Sequence, residues 1–226
     1  MPRSASSLRT SLVLGLFLGW GATGCASRSY YQEGFQSRLD REWTIRREDR
    51  SAWRVSPQGL EVRVLPGNMW GPANDAKNTF VRPAPDPARG PVDVSVRVEN
   101  HPTEQYEQVD LLWHYTDSDQ VKIGQELVDG QLSIVMGREE KDRTRTIAII
   151  PLDSFVVDLR LEVTGSTIRG LFRTPAMTAW REAGTCDLPV NGAPHISFQI
   201  YQGPAQLERW AKLSQFEVTQ WHGPRR

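Results

Sequence analysis

Asp110, His114, Lys122 and Glu126 are the polar residues whose types and spacing suggest a binding site. Val109, Leu111 and Trp113 alternate with Asp110 and His114, while Val121 and Ile123 flank Lys122, with Glu126 four residues on. A strand sends alternate side chains to opposite faces. With the apolar residues inward, the four polar side chains look outward on two neighbouring strands, and hairpin pairing brings them together. Charged and amide groups of this kind match hydroxyls, and aromatic faces stack on pyranose C–H groups. Trp70 and Trp180 sit beside turn residues and could supply such faces. The plainer reading is a solvated charged face and two core tryptophans.

Other chemistry is thinly represented. Glycoside hydrolysis needs two carboxyl groups about 5 to 10 Å apart. Glu107 and Asp110 are three apart and point to opposite faces of a regular strand. Asp158 and Glu162 share a face with Arg160 between them, which suits a salt-bridge row better than a general acid. His101, His114, His195 and His222 are dispersed, without metal-ligand spacing, so neither zinc nor any other cofactor is expected. Asp117-Ser118-Asp119 is read as a turn, with calcium ligation as the alternative. No Gly-x-Ser-x-Gly elbow occurs. Cys186 has no evident partner and reads as a structural or idle thiol. No catalytic set assembles.

Composition bounds the rest. The 27 basic and 27 acidic residues leave no surplus for a phosphate backbone, so nucleic acid is excluded as a general partner. Eight Trp, seven Phe and five Tyr are enough to fill a core, which excludes bulk disorder. A length of 226 residues fits one β-sandwich or two small domains.

The first residues read as an address. Arg3 and Arg9 precede the apolar run 12–20, which is short for a membrane span. Ala22-Thr23-Gly24-Cys25 resembles the bacterial lipobox, with Ala where Leu is commoner. This predicts a lipoprotein signal over 1–24 and a lipid anchor on Cys25. The alternative is an ordinary signal peptide with a chance Cys. One acyl chain binds a membrane only marginally, so stable anchoring calls for more than one. Ala26 and Ser27 follow, and the missing Asp favours the outer membrane of a bacterial envelope. Residues 25–34 read as a polar tether, 35–221 as the folded domain and 222–226 as a tail.

From Phe35 onward the dominant period is two. Leu60 to Val64, Val92 to Val98, Val157 to Val163 and Ile196 to Ile200 all alternate. Turn residues separate the runs, and Asp129-Gly130 is the best hairpin signal. Residues 83–91, with four prolines, read as a stiff loop, and 204–212 as a short turn of helix. About a dozen antiparallel strands imply an all-β, two-sheet jelly-roll sandwich.

Gln108-Val109-Asp110-Leu111-Leu112, the turn Asp117-Ser118-Asp119, then Gln120-Val121-Lys122 and Glu126, resemble a signature strand pair of the concanavalin A-like lectin/glucanase superfamily. The likeness is closer to the family of unknown function 1349 and to the C-terminal domain of family 43 β-xylosidases. Asp110 stands where Gly is usual, and Gln120 where an aromatic is usual. Trp43 with Arg47-Glu48-Asp49 and Trp53, Gly59-Leu60, Asn78 with Phe80-Val81-Arg82, Leu159-Arg160-Leu161, Ile168 to Phe172, Ala179-Trp180 and Phe216-Glu217-Val218 fit in order. The resemblance covers about residues 35 to 220. It implies a curved sandwich with a sugar-binding face, without implying catalysis. The superfamily's glucanases carry Glu-x-Asp-x-Glu on one strand, a motif this chain lacks. The expectation is a non-catalytic carbohydrate-binding module that meets a polysaccharide or glycan at the envelope, with Asp110, His114, Lys122, Glu126, Trp70 and Trp180 as its site. The rivals are a hydrolase or lyase with an unfamiliar acid pair, and an envelope interaction protein without a sugar ligand.

Overall fold

Period-two alternation resolves into paired strands whose apolar sides face one another. A computed structural model describes residues 27–222. The signal over 1–24, the anchor Cys25 and residues 223–226 of the expected tail lie outside the described residues. Those described form fifteen strands: β1 (Ser27–Glu33), β2 (Thr44–Arg46), β3 (Trp53–Ser56), β4 (Gly59–Arg63), β5 (Thr79–Pro83), β6 (Val92–Glu99), β7 (Gln108–Thr116), β8 (Asp119–Val128), β9 (Gln131–Glu140), β10 (Arg143–Pro151), β11 (Val156–Thr164), β12 (Thr167–Arg173), β13 (Arg181–Asp187), β14 (His195–Tyr201) and β15 (Trp210–His222).

They build an all-β, two-sheet antiparallel jelly-roll sandwich. One sheet has eight strands, ordered β13-β12-β11-β6-β15-β4-β3 with β1 added on β15. The other has seven, ordered β10-β9-β8-β7-β14-β5-β2. Val94, Val96, Leu159 and Leu161 of the first sheet belong to the same buried core as Leu111, Trp113, Ile123 and Phe198 of the second. Removing this apolar surface from water is the main force holding the layers together. Phe35, Trp43, Phe198 and Phe216 add an aromatic cluster, with Trp43 stacked on Phe198 at 4.8 Å.

Asp129 and Gly130 both take positive φ, 50° and 77°, as a two-residue hairpin between β8 and β9 requires. Of the expected loop 83–91, Pro83 closes β5 and residues 84–91 lead to β6 through one short 3-10 turn, Pro87–Arg89.

Three expectations change. The expected tether is largely strand: Ser27–Glu33 pairs with β15 from Ser27↔His222 to Glu33↔Phe216. Its backbone donors and acceptors find partners there, although the side chains of residues 28–33 are mostly exposed. Residue 222 closes β15 instead of opening a tail. Residues 205–207 form bends, and Trp210 begins β15, so the expected turn of helix is absent.

Candidate functional site: a covered polar face on the seven-stranded sheet

The register of β7 and β8 sets the site. Gln108 lies opposite Glu126, Asp110 opposite Gly124, Leu112 opposite Lys122 and His114 opposite Gln120. These residues point away from the core, as the alternation predicts. They are nevertheless buried: Asp110 and His114 are 0% exposed, Lys122 4% and Glu126 7%.

Residues 64–78, between β4 and β5, provide much of the cover. Gln120 Nε2 donates to the Met69 carbonyl at 3.1 Å, and the Gly71 amide donates to Glu139 Oε2 at 3.2 Å. Met69 packs with Ala76 and Tyr201. Trp70 lies against Gly137, where an added Cβ would come within 2.5 Å of the ring. The segment also braces itself: the Trp70 amide donates to Asn68 Oδ1 at 3.0 Å, and Arg47 Nε donates to the Ala76 carbonyl at 2.6 Å.

Lys122 is the centre of the cluster. Its Nζ lies 3.5 Å from Asp110 Oδ2 and 3.3 Å from Glu126 Oε2, and it donates to Gln108 Oε1. The Trp70 ring centroid is 4.9 Å from Nζ and the Tyr201 ring 5.9 Å, both within cation–π range. Gly124 makes room for Asp110, because any Cβ there would overlap the carboxylate. Burial pushes the Asp110 carboxyl up to about 7, with Lys122 opposing and Glu126 adding to the shift. Burial also works against charge on Lys122, but Asp110, Tyr201 and Glu126 outweigh it and hold the ammonium well above its ordinary range.

A cavity of about 450 Å³ opens over this cluster, lined by Trp70, Tyr106, Gln108, Lys122, Glu126 and Ile149 among others. Its size falls within the range for small-ligand sites. An ammonium, a carboxylate and an amide lie in its wall beside two aromatic residues, a donor–acceptor set that suits a polyhydroxylated ring.

Four of the six expected residues converge: Lys122, Glu126 and Trp70 in the wall, and Asp110 beneath. His114 does not join them. It packs against His195 at 5.5 Å, and burial, with Arg46 and His195, lowers its pKa to about 3. Its imidazole is therefore neutral. Trp180 is on the other sheet, between β12 and β13, 5.1 Å from the Arg160 guanidinium and 4.7 Å from that of Arg173. Being beside a turn placed it at the wrong face. Gln108, Tyr106, Tyr201 and Ile149 were missed; Gln108 alone carried a signal, its alternation with Asp110 on the strand that pairs with β8.

The remaining candidates are occupied. Arg97 bonds Asp158 at 2.7 Å and Arg173 bonds it at 2.9 Å, while Glu162 lies 3.8 Å from Arg160 and 3.3 Å from Arg169. The row is ionic, but Arg160 pairs with Glu162 and Asp93, and Asp158 is held by Arg97 and Arg173 instead. Asp117 bonds Arg46 at 2.7 Å, and Asp119 accepts from Thr116, Asn191 and the Lys141 amide, so the turn carboxylates brace loops. Among the described residues no group of three or more His, Cys, Asp or Glu is arranged to hold a metal ion. Burial pushes the Cys186 thiol up to about 11, which suppresses its nucleophilic form.

No family model matches the chain, and no curated protein matches it. Solved structures do. A GH43 protein from Bacillus licheniformis superposes with a TM-score of 0.69 at 15% identity, over 85% of this chain and 39% of its own. A xylan β-1,4-xylosidase from Bacillus halodurans gives 0.68 at 15% identity, over 85% and 39%. The CBM2 module of an evolved Dit protein from Lactobacillus casei phage J-1 gives 0.55 at 7% identity, over 89% and 99%. The chain spans about two fifths of the length of the two Bacillus structures. These likenesses establish the fold, a concanavalin A-like sandwich.

Proposed function

We propose that this protein is a non-catalytic carbohydrate-binding module, held on a bacterial envelope by a lipid on Cys25. The observation that carries the binding role is the cavity beside Trp70, where Lys122, Glu126 and Gln108 are fixed by one another next to aromatic faces. Such a site is organised before a ligand arrives, which lowers the ordering cost of binding. The GH43 structures and the CBM2 module of the same fold agree with a glycan ligand. The Ala22-Thr23-Gly24-Cys25 run supports the anchor, and Ala26 in place of Asp favours the outer membrane.

Affinity electrophoresis against plant, algal and bacterial polysaccharides tests the binding role. Retardation by at least one polysaccharide is expected, lost in Trp70→Ala and Lys122→Met. No retardation by any of them, or retardation untouched by both variants, overturns it. Mass spectrometry of the N-terminal peptide tests the anchor, with an acylated Cys25 expected.

A second reading has one observation in its favour. Residues 64–78 cover part of the face where sugar would sit. An envelope interaction protein that kept the sandwich and lost the ligand would look like this, and would recover one partner protein in an envelope pull-down.

A further inference from the structure

The start of β1 changes what an anchor at Cys25 would do. Ser27 is already in register with His222. Only residue 26 separates Cys25 from that strand, and two residues of extended chain reach about 7 Å. An acylated Cys25 would therefore hold one particular end of the sandwich at the depth of the lipid headgroups.

Hydrogen bonds identify that end. The Trp221 amide donates to the Pro91 carbonyl at 2.9 Å, and Gln220 Nε2 to that of Asp86 at 2.7 Å. The Ala84 amide donates to the Pro194 carbonyl at 3.0 Å. Asn191 Nδ2 reaches Asp119 Oδ2 at 2.9 Å, and the Lys141 amide reaches Asp119 Oδ1 at 3.2 Å. The 84–91 loop, the 188–194 loop, the β7–β8 turn and the β9–β10 hairpin thus share the end from which the chain leads back to Cys25.

The cavity is at the other end. Gln108 begins β7, Glu126 lies near the end of β8, and Tyr106 stands just before β7, whereas Thr116 and Asp119 mark the anchored end of the same two strands. The anchored end presents exposed Arg89, Lys141 and Arg143, and Val190 at 63% exposure. Exposed basic and apolar side chains suit the headgroup layer. Asp86, which pairs with Arg89 at 3.9 Å, and exposed Asp142 and Asp187 lie there too and offset the charge, so the lipid sets the position.

We propose that the end bearing Ser27, the 188–194 loop and the β9–β10 hairpin rests on lipid headgroups, so that the Trp70 cavity opens away from the membrane. This rests on the lipid anchor at Cys25. The test uses the full chain, expressed and acylated in a double-membraned bacterium, then reconstituted in phosphatidylcholine–phosphatidylglycerol vesicles containing headgroup spin-labelled lipid. In a Cys186→Ser background, a fluorophore is placed at Val190→Cys or at Gln105→Cys, both in exposed loops. Several-fold stronger quenching at 190 than at 105 is expected, and five Gly-Ser residues inserted after Ala26 should erase the difference. Equal quenching, or stronger quenching at 105, overturns the orientation. If Cys25 carries no acyl mass and the protein does not float with vesicles, the anchor itself fails and the orientation with it. Acylated protein with equal quenching sinks the orientation alone. Cys186→Ala serves if the serine variant does not fold.

Discussion

The two sheets carry charge on their outer faces in opposite ways. On the eight-stranded sheet, Asp158 meets Arg97 and Arg173, and Glu162 meets Arg160 and Arg169, with the guanidiniums still reaching water. On the seven-stranded sheet, Asp110, Lys122 and Glu126 share one ammonium between two carboxylates, under cover. Partly solvated pairs of the first kind contribute little to stability. Buried charges cost several kcal/mol each in lost hydration, and their mutual attraction does not reliably repay it. An apolar face would have been easier to fold. The covered face therefore looks like a site, and the ionic row like a surface.

The contrast breaks if Lys122→Met is harmless. We expect a loss of about 3 to 5 kcal/mol in urea unfolding at pH 7, because Asp110 and Glu126 lose the ammonium that lies between them. Part of it should return in Lys122→Met with Asp110→Leu, since that pair is coupled, while Glu126 still lacks its partner.

Acid titration sharpens it next. Asp110 sits near 7 against an ordinary 3.8, so the folded protein keeps a proton that the unfolded chain releases across that window. Its stabilising contribution is complete at low pH and is lost as pH rises through 7. His114, lowered to about 3 from 6.5, works the other way: the unfolded chain takes up a proton that the folded imidazole refuses. The two slopes cancel between about pH 4 and 6.5. His114→Asn removes one of them. Stability should then rise on acidification from pH 6.5 to 4 relative to the parent protein, by up to about 1.4 kcal/mol per unit, read by urea midpoints across that range. His195, also lowered by burial, opposes part of the rise.

Gly137→Ala should cost about 1 to 3 kcal/mol, because its Cβ meets the Trp70 ring, and should weaken polysaccharide retardation more than it lowers the melting temperature. On the opposite face, Asp158→Asn should cost about 1 kcal/mol or less and leave retardation intact. Glu182→Gln, which leaves the exposed Arg169 still paired with Glu162, should leave the melting temperature unchanged.

The sandwich was legible because burial against a second layer imposes period two on β4, β6, β7, β11 and β14. β1 was not, because SRSYYQE is held by backbone pairing along β15, which leaves no apolar alternation to read. The outward direction of Asp110 and Lys122 was legible, but their burial was not. Their cover comes from residues 64–78, about forty positions upstream of Asp110, and nothing in β7 or β8 announces it. The two departures from the strand-pair pattern that the sequence resembles acquire reasons. Asp110 stands where Gly is usual because its cross-strand partner Gly124 surrenders the space, and Gln120, in place of an aromatic, ties down Met69. Trp70 and Trp180 were indistinguishable as residues beside turns, since only topology assigns them to different sheets.

The pairing of β1 with β15 also has a mechanical side. A pull on the chain upstream of Ser27, directed out past His222, runs along the strand axis. The seven register pairs from Ser27↔His222 to Glu33↔Phe216 would then share the load in shear instead of parting one by one. Behind them the Glu33 carboxylate accepts from Trp43 Nε1 at 2.7 Å and from the Tyr31 hydroxyl at 2.9 Å, so tension passes into the Phe35–Trp43–Phe198–Phe216 cluster. The first strand would thus act as a force clamp, and pulling single molecules from their N-terminus should register it as a rupture force that falls when Glu33→Ala removes the latch.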